Sequence, residues 1–146
     1  MLVFREENPT PEEYYDLFET TGWNREYQAY SDELANALEN SWYSIAVYDS
    51  GRLIGFGRVV SDGVLHAMIY DMIVRPSHQN RGIGTEILSR LVAKCKKAGV
   101  RDIQLFAANN RAQFYLKCGF VRRPQEAPGM ELREEKDSEQ LHDTCA

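Results

Sequence analysis

Cysteine is scarce in the 146 residues: Cys95, Cys118 and Cys145 are odd in number and form no Cys-x-x-Cys pair. That argues against a disulfide framework or a zinc-ligand spacing, and reduced thiols are expected. No run approaches the ~20 apolar residues of a membrane span, and Arg5, Glu6 and Glu7 bring charge too early for a secretory leader. The expected setting is soluble and cytoplasmic, with no membrane partner. Positive charge is also in deficit, since 17 Lys and Arg against 22 Asp and Glu leave −5 at pH 7. A nucleic-acid surface is disfavoured, and a cationic partner such as an amine is compatible, as is ordinary solubility. Internal repeats and low-complexity segments are absent.

What is present is a chain that is 43% hydrophobic, enough for one domain hiding roughly two-thirds of its unfolded surface. That domain is expected over residues 1–134, with an acidic, loose tail over 135–146. Leu2–Arg5 reads as a first strand. Thr10-Pro11-Glu12-Glu13 supplies an N-cap, a proline at N1 and a glutamate at N3 for a helix over Pro11–Thr20. A second helix is expected after Ser31, with Leu34, Ala35 and Leu38 on one face, leaving residues 22–30 as a connection. Tyr43–Tyr48 and Leu53–Val60 form a hairpin around Asp49-Ser50-Gly51, and Asp62-Gly63 makes the next turn. Val64–Val74 is nearly continuous in apolar residues, as a central strand covered on both faces would be. Ile83, Ile87, Leu88, Leu91, Val92 and Cys95 then recur at helical spacing, with Lys94, Lys96 and Lys97 near the end and Gly99 as the cap. Asp102–Ala108 reads as a strand, Arg111–Lys117 as a short helix, and the stretch around Pro124–Leu132 as a closing pair of strands. Strands alternating with helices in this order give a three-layer α/β/α arrangement with a mixed sheet.

Between the central strand and the long helix runs Val-Arg-Pro-Ser-His-Gln-Asn-Arg-Gly-Ile-Gly-Thr, from Val74 to Thr85. Gly82 and Gly84 let a ligand approach the backbone, and the first amides of the helix have no partner within it. Those donors and the positive end of the helix dipole favour an anion. A dinucleotide fingerprint would place a third glycine at position 87, which is Ile87, and a P-loop would follow Gly84 with Lys-Ser/Thr, where the chain has Thr85-Glu86. What remains, Gln79-x-x-Gly82-x-Gly84 with Val74 and Pro76 ahead, resembles the acyl-CoA pyrophosphate loop of the GNAT superfamily of N-acyltransferases. The resemblance covers most of the chain and is firmest from Ile45 to Phe120.

This resemblance implies acetyl-CoA as cosubstrate, bound at its pyrophosphate by Gln79, Asn80, Arg81, Gly82, Ile83, Gly84 and Thr85. It also implies a splayed sheet, in which Met72, Ile73 and Val74 pair with the pantetheine amides. The segment Phe114-Tyr115-Leu116-Lys117-Cys118-Gly119-Phe120 resembles the family's Phe-Tyr-x-Lys-x-Gly-Phe helix beside the cofactor thiol. Phe114 and Lys117 thereby join the cofactor contacts, and Tyr115 matches the family's usual general acid. Family members often carry Asn-x-x-Ala-x-x-Phe-Tyr; here one residue, Gln113, separates Ala112 from Phe114, so the helix start is tightened and no role is assigned to Asn109 or Asn110. Asp62-Gly63, Asp71, Phe114-Tyr115 and Gly129-Met130 also look like a plastid and cyanobacterial branch that acetylates arylalkylamines and protein amines.

Acyl transfer to an amine sets two proton problems. An alkylammonium of pKa ~10.4 costs about 4.6 kcal/mol to deprotonate at pH 7, so a base or water relay helps. A thiolate of ~8.5 and a phenol of ~10 differ by about 2 kcal/mol, so a tyrosine can protonate the leaving sulfur at small penalty. Asp71 shares an alternating face with Leu65, Ala67, Ile69 and Ile73. A carboxylate there either accepts the amine's proton or hydrogen-bonds a neighbouring loop. His66 reads as a packed or rim residue, and His78 and His142 as surface residues. Trp23, Tyr27 and Tyr30 either wall an amine pocket or belong to the core, with Arg58 and Asp62 as weaker substrate candidates. Cys118 is explained by packing, and no metal is expected. The expected function is transfer of an acetyl group from acetyl-CoA to a primary amine by direct attack on the thioester. A non-catalytic acyl-CoA-binding module and a protein N-terminal or lysine acetyltransferase are the alternatives, and a homodimer is left open.

Overall fold

The computed structural model describes residues 1–133, and the chain divides into two compact units, Met1–Phe106 and the stretch from Ala107 onward. The first unit contains β1 (Leu2–Arg5), α1 (Pro11–Glu19), α2 (Asn24–Tyr27), α3 (Ser31–Glu39), β2 (Tyr43–Asp49), β3 (Arg52–Ser61), β4 (His66–Val74), α4 (Ile83–Ala98) and β5 (Asp102–Leu105). The strands lie in the order β1-β2-β3-β4-β5. The first three junctions are antiparallel and β4–β5 is parallel. The parallel junction requires a crossover, and α4 supplies it.

Local chemistry accounts for the helices. Thr10 Oγ1 accepts from the Glu13 amide at 3.2 Å and Glu13 Oε1 from the Thr10 amide at 3.0 Å, closing the expected capping box around Pro11. The inner faces of α1 (Tyr14, Leu17, Phe18) and α3 (Leu34, Leu38) pack with Ala46, Tyr48, Leu53, Phe56 and Ile73 into one core. On the opposite face α4 buries Ile83, Ile87, Leu88, Leu91 and Cys95 and packs on β2, β3 and β4. The three-layer α/β/α arrangement with a mixed sheet is therefore as expected.

One irregularity in β4 sets how both cores are filled. Arg58 pairs with Tyr70 and Phe56 with Ile73, so Asp71 and Met72 together stand opposite the single residue Gly57. Asp71 takes a φ of 56°. This is a β-bulge, and the extra residue reverses the facing of everything after it. Ile69 pairs with Val59, whereas Ile73, of the same parity, pairs with Phe56 and enters the core under α1 and α3. The expectation that Asp71 lies on one alternating face with Ala67, Ile69 and Ile73 is thus corrected, because strict alternation stops at Tyr70.

Other boundaries shift for identifiable reasons. Val64 and Leu65 lie outside β4, because Asp62 Oδ1 accepts from the amides of Val64 (2.8 Å), Leu65 (2.7 Å) and His66 (3.2 Å) and folds them into a turn. The connection over residues 22–30 contains α2, which ends in the left-handed Gln28 (φ 51°). Tyr30, rather than Ser31, caps α3, its amide donating to Glu33 Oε1 at 2.9 Å. β5 stops at Leu105 instead of Ala108. In the second unit α5 spans Ala112–Lys117, and Asn110 (φ 63°) precedes it. The closing strands expected around Pro124–Leu132 are not formed in the described residues. Pro124 and Pro128 lack the amide donors a ladder needs, and a turn forms instead, with the Ala127 amide donating to the Pro124 carbonyl at 3.0 Å. The tail expected at 135–146, with His142 and Cys145, lies outside the described residues.

Gly57 is where α4 and the bulge come closest. A Cβ there would sit 2.7 Å from Ile87 Cγ2 and 2.8 Å from Met72 Sδ. Ile87 is β-branched and fully buried, so it cannot yield easily. Gly57→Ala is expected to cost about 1–3 kcal/mol and lower Tm by roughly 2–12 °C, read by thermal melting.

Candidate active site

The site begins where β4 loses a neighbour. Pairing with β5 runs from His66↔Asp102 to Ile69↔Leu105. Met72, Ile73 and Val74 therefore have no strand partner on that side among the described residues. Backbone donors and acceptors exposed along a strand edge seek partners, and a peptide-like arm can supply them.

β4 then delivers the chain to a braced loop. Arg75 is 6% exposed; its Nε and Nη2 donate to the Leu53 carbonyl at 3.2 and 2.9 Å, and Nη2 also to Asp16 Oδ2 at 2.9 Å. Its amide donates to the Ile54 carbonyl at 2.7 Å. Pro76–His78 form a 3-10 turn. His78 was expected at the surface, yet its side chain is only 14% exposed and pairs with Asp49 through Nε2–Oδ2 at 2.8 Å. Gln79 Nε2 donates to the Val74 carbonyl at 2.9 Å, so in this structure its side chain acts as a strut within the loop. Asn80 (φ 64°) and Gly82 (φ 81°) turn the backbone left-handed. A Cβ at Gly82 would meet nothing within 4 Å, so the demand for glycine there is conformational rather than steric.

Helix α4 starts directly after this turn with no side-chain cap at Gly82. Its first helical bond runs from the Glu86 amide to the Gly82 carbonyl at 3.1 Å, so the amides of Ile83, Gly84 and Thr85 precede it. Uncapped amides on a sixteen-residue helix make a site that fits a diphosphate, and Arg81 is exposed beside them. Together, the free β4 edge and these amides match the two halves of a coenzyme A arm, peptide-like and phosphorylated.

Asp71 sits in the bulge beside a second set of polar groups. Arg58 Nε donates to Asp71 Oδ2 at 2.6 Å, while its Nη1 donates to the Ala37 carbonyl and Ser41 Oγ of the α3 end at 3.1 and 3.3 Å. The guanidinium lies 5.8 Å from the Tyr70 ring centroid. Tyr14 completes the group: its hydroxyl is buried and has no hydrogen-bond partner. Burial pushes its phenol pKa far up, the Asp71 carboxylate pushes the same way, and Arg58 opposes them. The hydroxyl lies within reach of the Asp71 carboxylate, which acts on it as a charge and as an acceptor, but no bond of ordinary length and angle is closed. A strained buried donor of this kind costs up to about 1–3 kcal/mol. Tyr14 is not among the candidates drawn from the sequence; the signal that could have found it is a phenol among Leu17 and Phe18 on a buried helix face, which needs a partner.

The remaining candidates separate. The Trp23 ring packs edge-on against Phe18 at 5.9 Å, at the margin of the core, whereas Tyr27 and Tyr30 are 69% and 74% exposed. His66 Nδ1 meets Asp102 Oδ2 at 2.8 Å at the rim, at the other end of β4 from the loop. In the second unit Tyr115 lies half-buried on α5 between Phe114 (5.0 Å) and Phe120 (6.0 Å), both edge-on. Burial raises its pKa, with Arg111 opposing and Cys118 adding. Lys117 is exposed on the same helix. No cluster of His, Cys, Asp and Glu suited to a metal occurs among the described residues.

A central strand that loses one neighbour and opens into an uncapped helix start, between helical layers, defines the class of this α/β domain. The model of the acetyltransferase (GNAT) family matches residues 6–120, and the chain belongs to that family. Serotonin N-acetyltransferase 2, chloroplastic, from Oryza sativa subsp. japonica is 34% identical over 119 residues, which cover 79% of this chain and 58% of that protein. An uncharacterized ycf52-like N-acetyltransferase of Prochlorococcus marinus is 31% identical over 117 residues, 77% of this chain and 63% of its own. The chain thus spans about three-fifths of the length of these relatives, which bear out the plastid and cyanobacterial resemblance. A crystal structure of a probable acetyltransferase from meticillin-resistant Staphylococcus aureus superposes with a TM-score of 0.80 at 26% identity, over 92% of this chain and all of that one.

The brace under the loop responds to acid. Asp49 is held below the ordinary carboxylate range, first by its bond from His78 and next by the terminal ammonium. A depressed folded pKa adds stability above the unfolded value near 3.9, lost as pH falls through the folded value. The urea midpoint of the wild type is therefore expected to exceed that of Asp49→Asn at pH 7, and the gap to close by about pH 2.

Proposed function

We propose that the chain transfers the acetyl group of acetyl-CoA to an amine, with no covalent acetyl-enzyme. The observation that carries this reading is the conjunction of the open β4 edge with the uncapped amides of Ile83, Gly84 and Thr85 in a member of this family. The backbone of Met72, Ile73 and Val74 would hold the pantetheine arm and the loop from Gln79 to Thr85 the pyrophosphate, with Phe114 and Lys117 as further contacts. Bound acetyl-CoA supplies an activated thioester carbonyl. Asp71, on its bulge at the same strand, anchors the acceptor ammonium or takes its proton. The amine nitrogen, once relieved of one proton, attacks the carbonyl carbon, the C–S bond breaks as the Tyr115 hydroxyl donates a proton to the sulfur, and the second proton that leaves the nitrogen restores the phenol.

Burial keeps Tyr115 protonated before the step, and the same upward shift widens the gap of about 2 kcal/mol to the leaving thiolate. Tyr115→Phe is expected to lower kcat by about 10²-fold with little change in the KM for acetyl-CoA. Any alkaline limb that belongs to Tyr115 in the wild-type kcat profile should lie above pH 10. Tight coenzyme A binding without transfer to any amine in a panel would favour the binding-module reading instead.

Acceptor choice is a finer matter. Arg58 with Asp71, and the exposed Tyr27 and Tyr30 with Trp23, are the side chains we assign to acceptor recognition. The rice relative is named for serotonin, which supports a small aromatic amine. Peptides with free N-termini or lysines in the same assay test the protein-amine alternative. We place the chain in the cytoplasm, and no helix of the described residues is long and apolar enough to cross a membrane.

The loop is tested by binding alone. Gly82→Ala forces a side chain into the left-handed region at about 1–2 kcal/mol, and the Kd for coenzyme A, measured by calorimetry, is expected to rise roughly 5–30-fold.

A further inference from the structure

The buried Tyr14 hydroxyl is the one side-chain polar atom among the described residues that is sealed from solvent with no hydrogen-bond partner. Native structures satisfy nearly all such groups, so an orphan asks for a reason. Its ring is fixed from two sides, by Phe56 at 5.0 Å edge-on and Phe18 at 5.7 Å, on a capped helix start. The hydroxyl therefore has little freedom to turn elsewhere. The charged groups that act on it are Asp71 of β4, whose carboxylate is also the acceptor within its reach, and Arg58 of β3. The end of α3 contributes only the Ala37 carbonyl and Ser41 hydroxyl, both directed at Arg58. Phenylalanine would fill the same ring volume without the polar cost, so packing does not explain the oxygen.

We propose that Tyr14 is a positioning residue for acetyl transfer: its hydroxyl, with Arg58, holds the bulged Asp71 carboxylate in the orientation that receives the acceptor ammonium. Arg58 fixes one carboxylate oxygen, Oδ2. The left-handed backbone at Asp71 fixes where the side chain departs, and the Tyr14 hydroxyl restricts rotation of the carboxylate about that anchor. Tyr14 is sealed from solvent and acts through Asp71 rather than on the substrate. A group kept at the expense of stability for the sake of a functional geometry is a known compromise in active sites. The proposal rests on the acetyltransferase reading above and on Asp71 as the ammonium's partner.

The test combines Tyr14→Phe, Asp71→Asn and the double variant with two readouts. In steady-state acetyl transfer to an amine, Tyr14→Phe is expected to lower kcat by about tenfold. The KM for acetyl-CoA and Tm should be retained, or Tm raised. In the Asp71→Asn background the same change should cost nothing further, as expected of residues that act as a unit. An equal loss in both backgrounds, or full activity of Tyr14→Phe, overturns the proposal. The second readout needs no turnover: at pH 7 the Asp71 carboxyl 13C resonance should move in Tyr14→Phe and stay in place in the exposed control Tyr15→Phe. An unmoved Asp71 resonance also overturns it. A wild type that transfers to no amine overturns the acetyltransferase reading, and the Tyr14–Asp71 assignment is then decided by the resonance alone.

Discussion

One extra residue in β4 governs the arrangement of this protein. Two residues of that strand oppose Gly57, and the surplus allows a strand with apolar residues on both faces to feed two different cores. Ahead of the bulge Ile69 faces one way. After it Ile73 joins Tyr14, Phe18 and Phe56 on the other face, and Met72 turns toward Gly57, Ile87 and Leu91. The bulge also aims Asp71 at Arg58 and lies where β5 has already left the sheet. Without the insertion the carboxylate would follow the alternation, and the strand would present different backbone groups along its open edge.

The distribution of unsatisfied groups follows from that constraint. Around the loop almost everything is bonded: Arg75 to Leu53 and Asp16, His78 to Asp49, Gln79 to Val74. Among the described residues, groups without strand or cap partners include the β4 edge beyond Ile69, the first amides of α4 and the Tyr14 hydroxyl. All three belong to β4 or to what it leads into or touches. A rigid frame that leaves particular donors and acceptors open is what a preorganised site requires, since the frame rather than the ligand bears the ordering cost.

The elements that local chemistry dictates were legible in the sequence. Thr10-Pro11-Glu12-Glu13 specified the start of α1 through its capping box, and Gly99 the end of α4. The apolar spacing from Ile83 to Cys95 specified the buried face of α4. In each case the determining groups lie within a few residues of one another, so their geometry is fixed by the backbone alone. The same holds for the uncapped start of α4 after Gly82, because helix amides and glycine torsions are local properties.

What tertiary structure decided involves residues distant in sequence. Across from the bulge β3 places Gly57, whose missing side chain leaves room for Ile87, Leu91 and Met72, and a period-2 reading of β4 has no access to that contact. Asp71 acquires its environment from Arg58 and Tyr14, 13 residues away and on the first helix. Likewise, His78 leaves the surface only because Asp49, 29 residues earlier, lies beside it. The sequence by itself determined the capped start of α1, the buried face and glycine end of α4, and the fold class. The packing of α1, β3 and α4 around one bulged strand decided which way the carboxylate points and which polar groups stay unpaired, because register and burial are properties of neighbours in space.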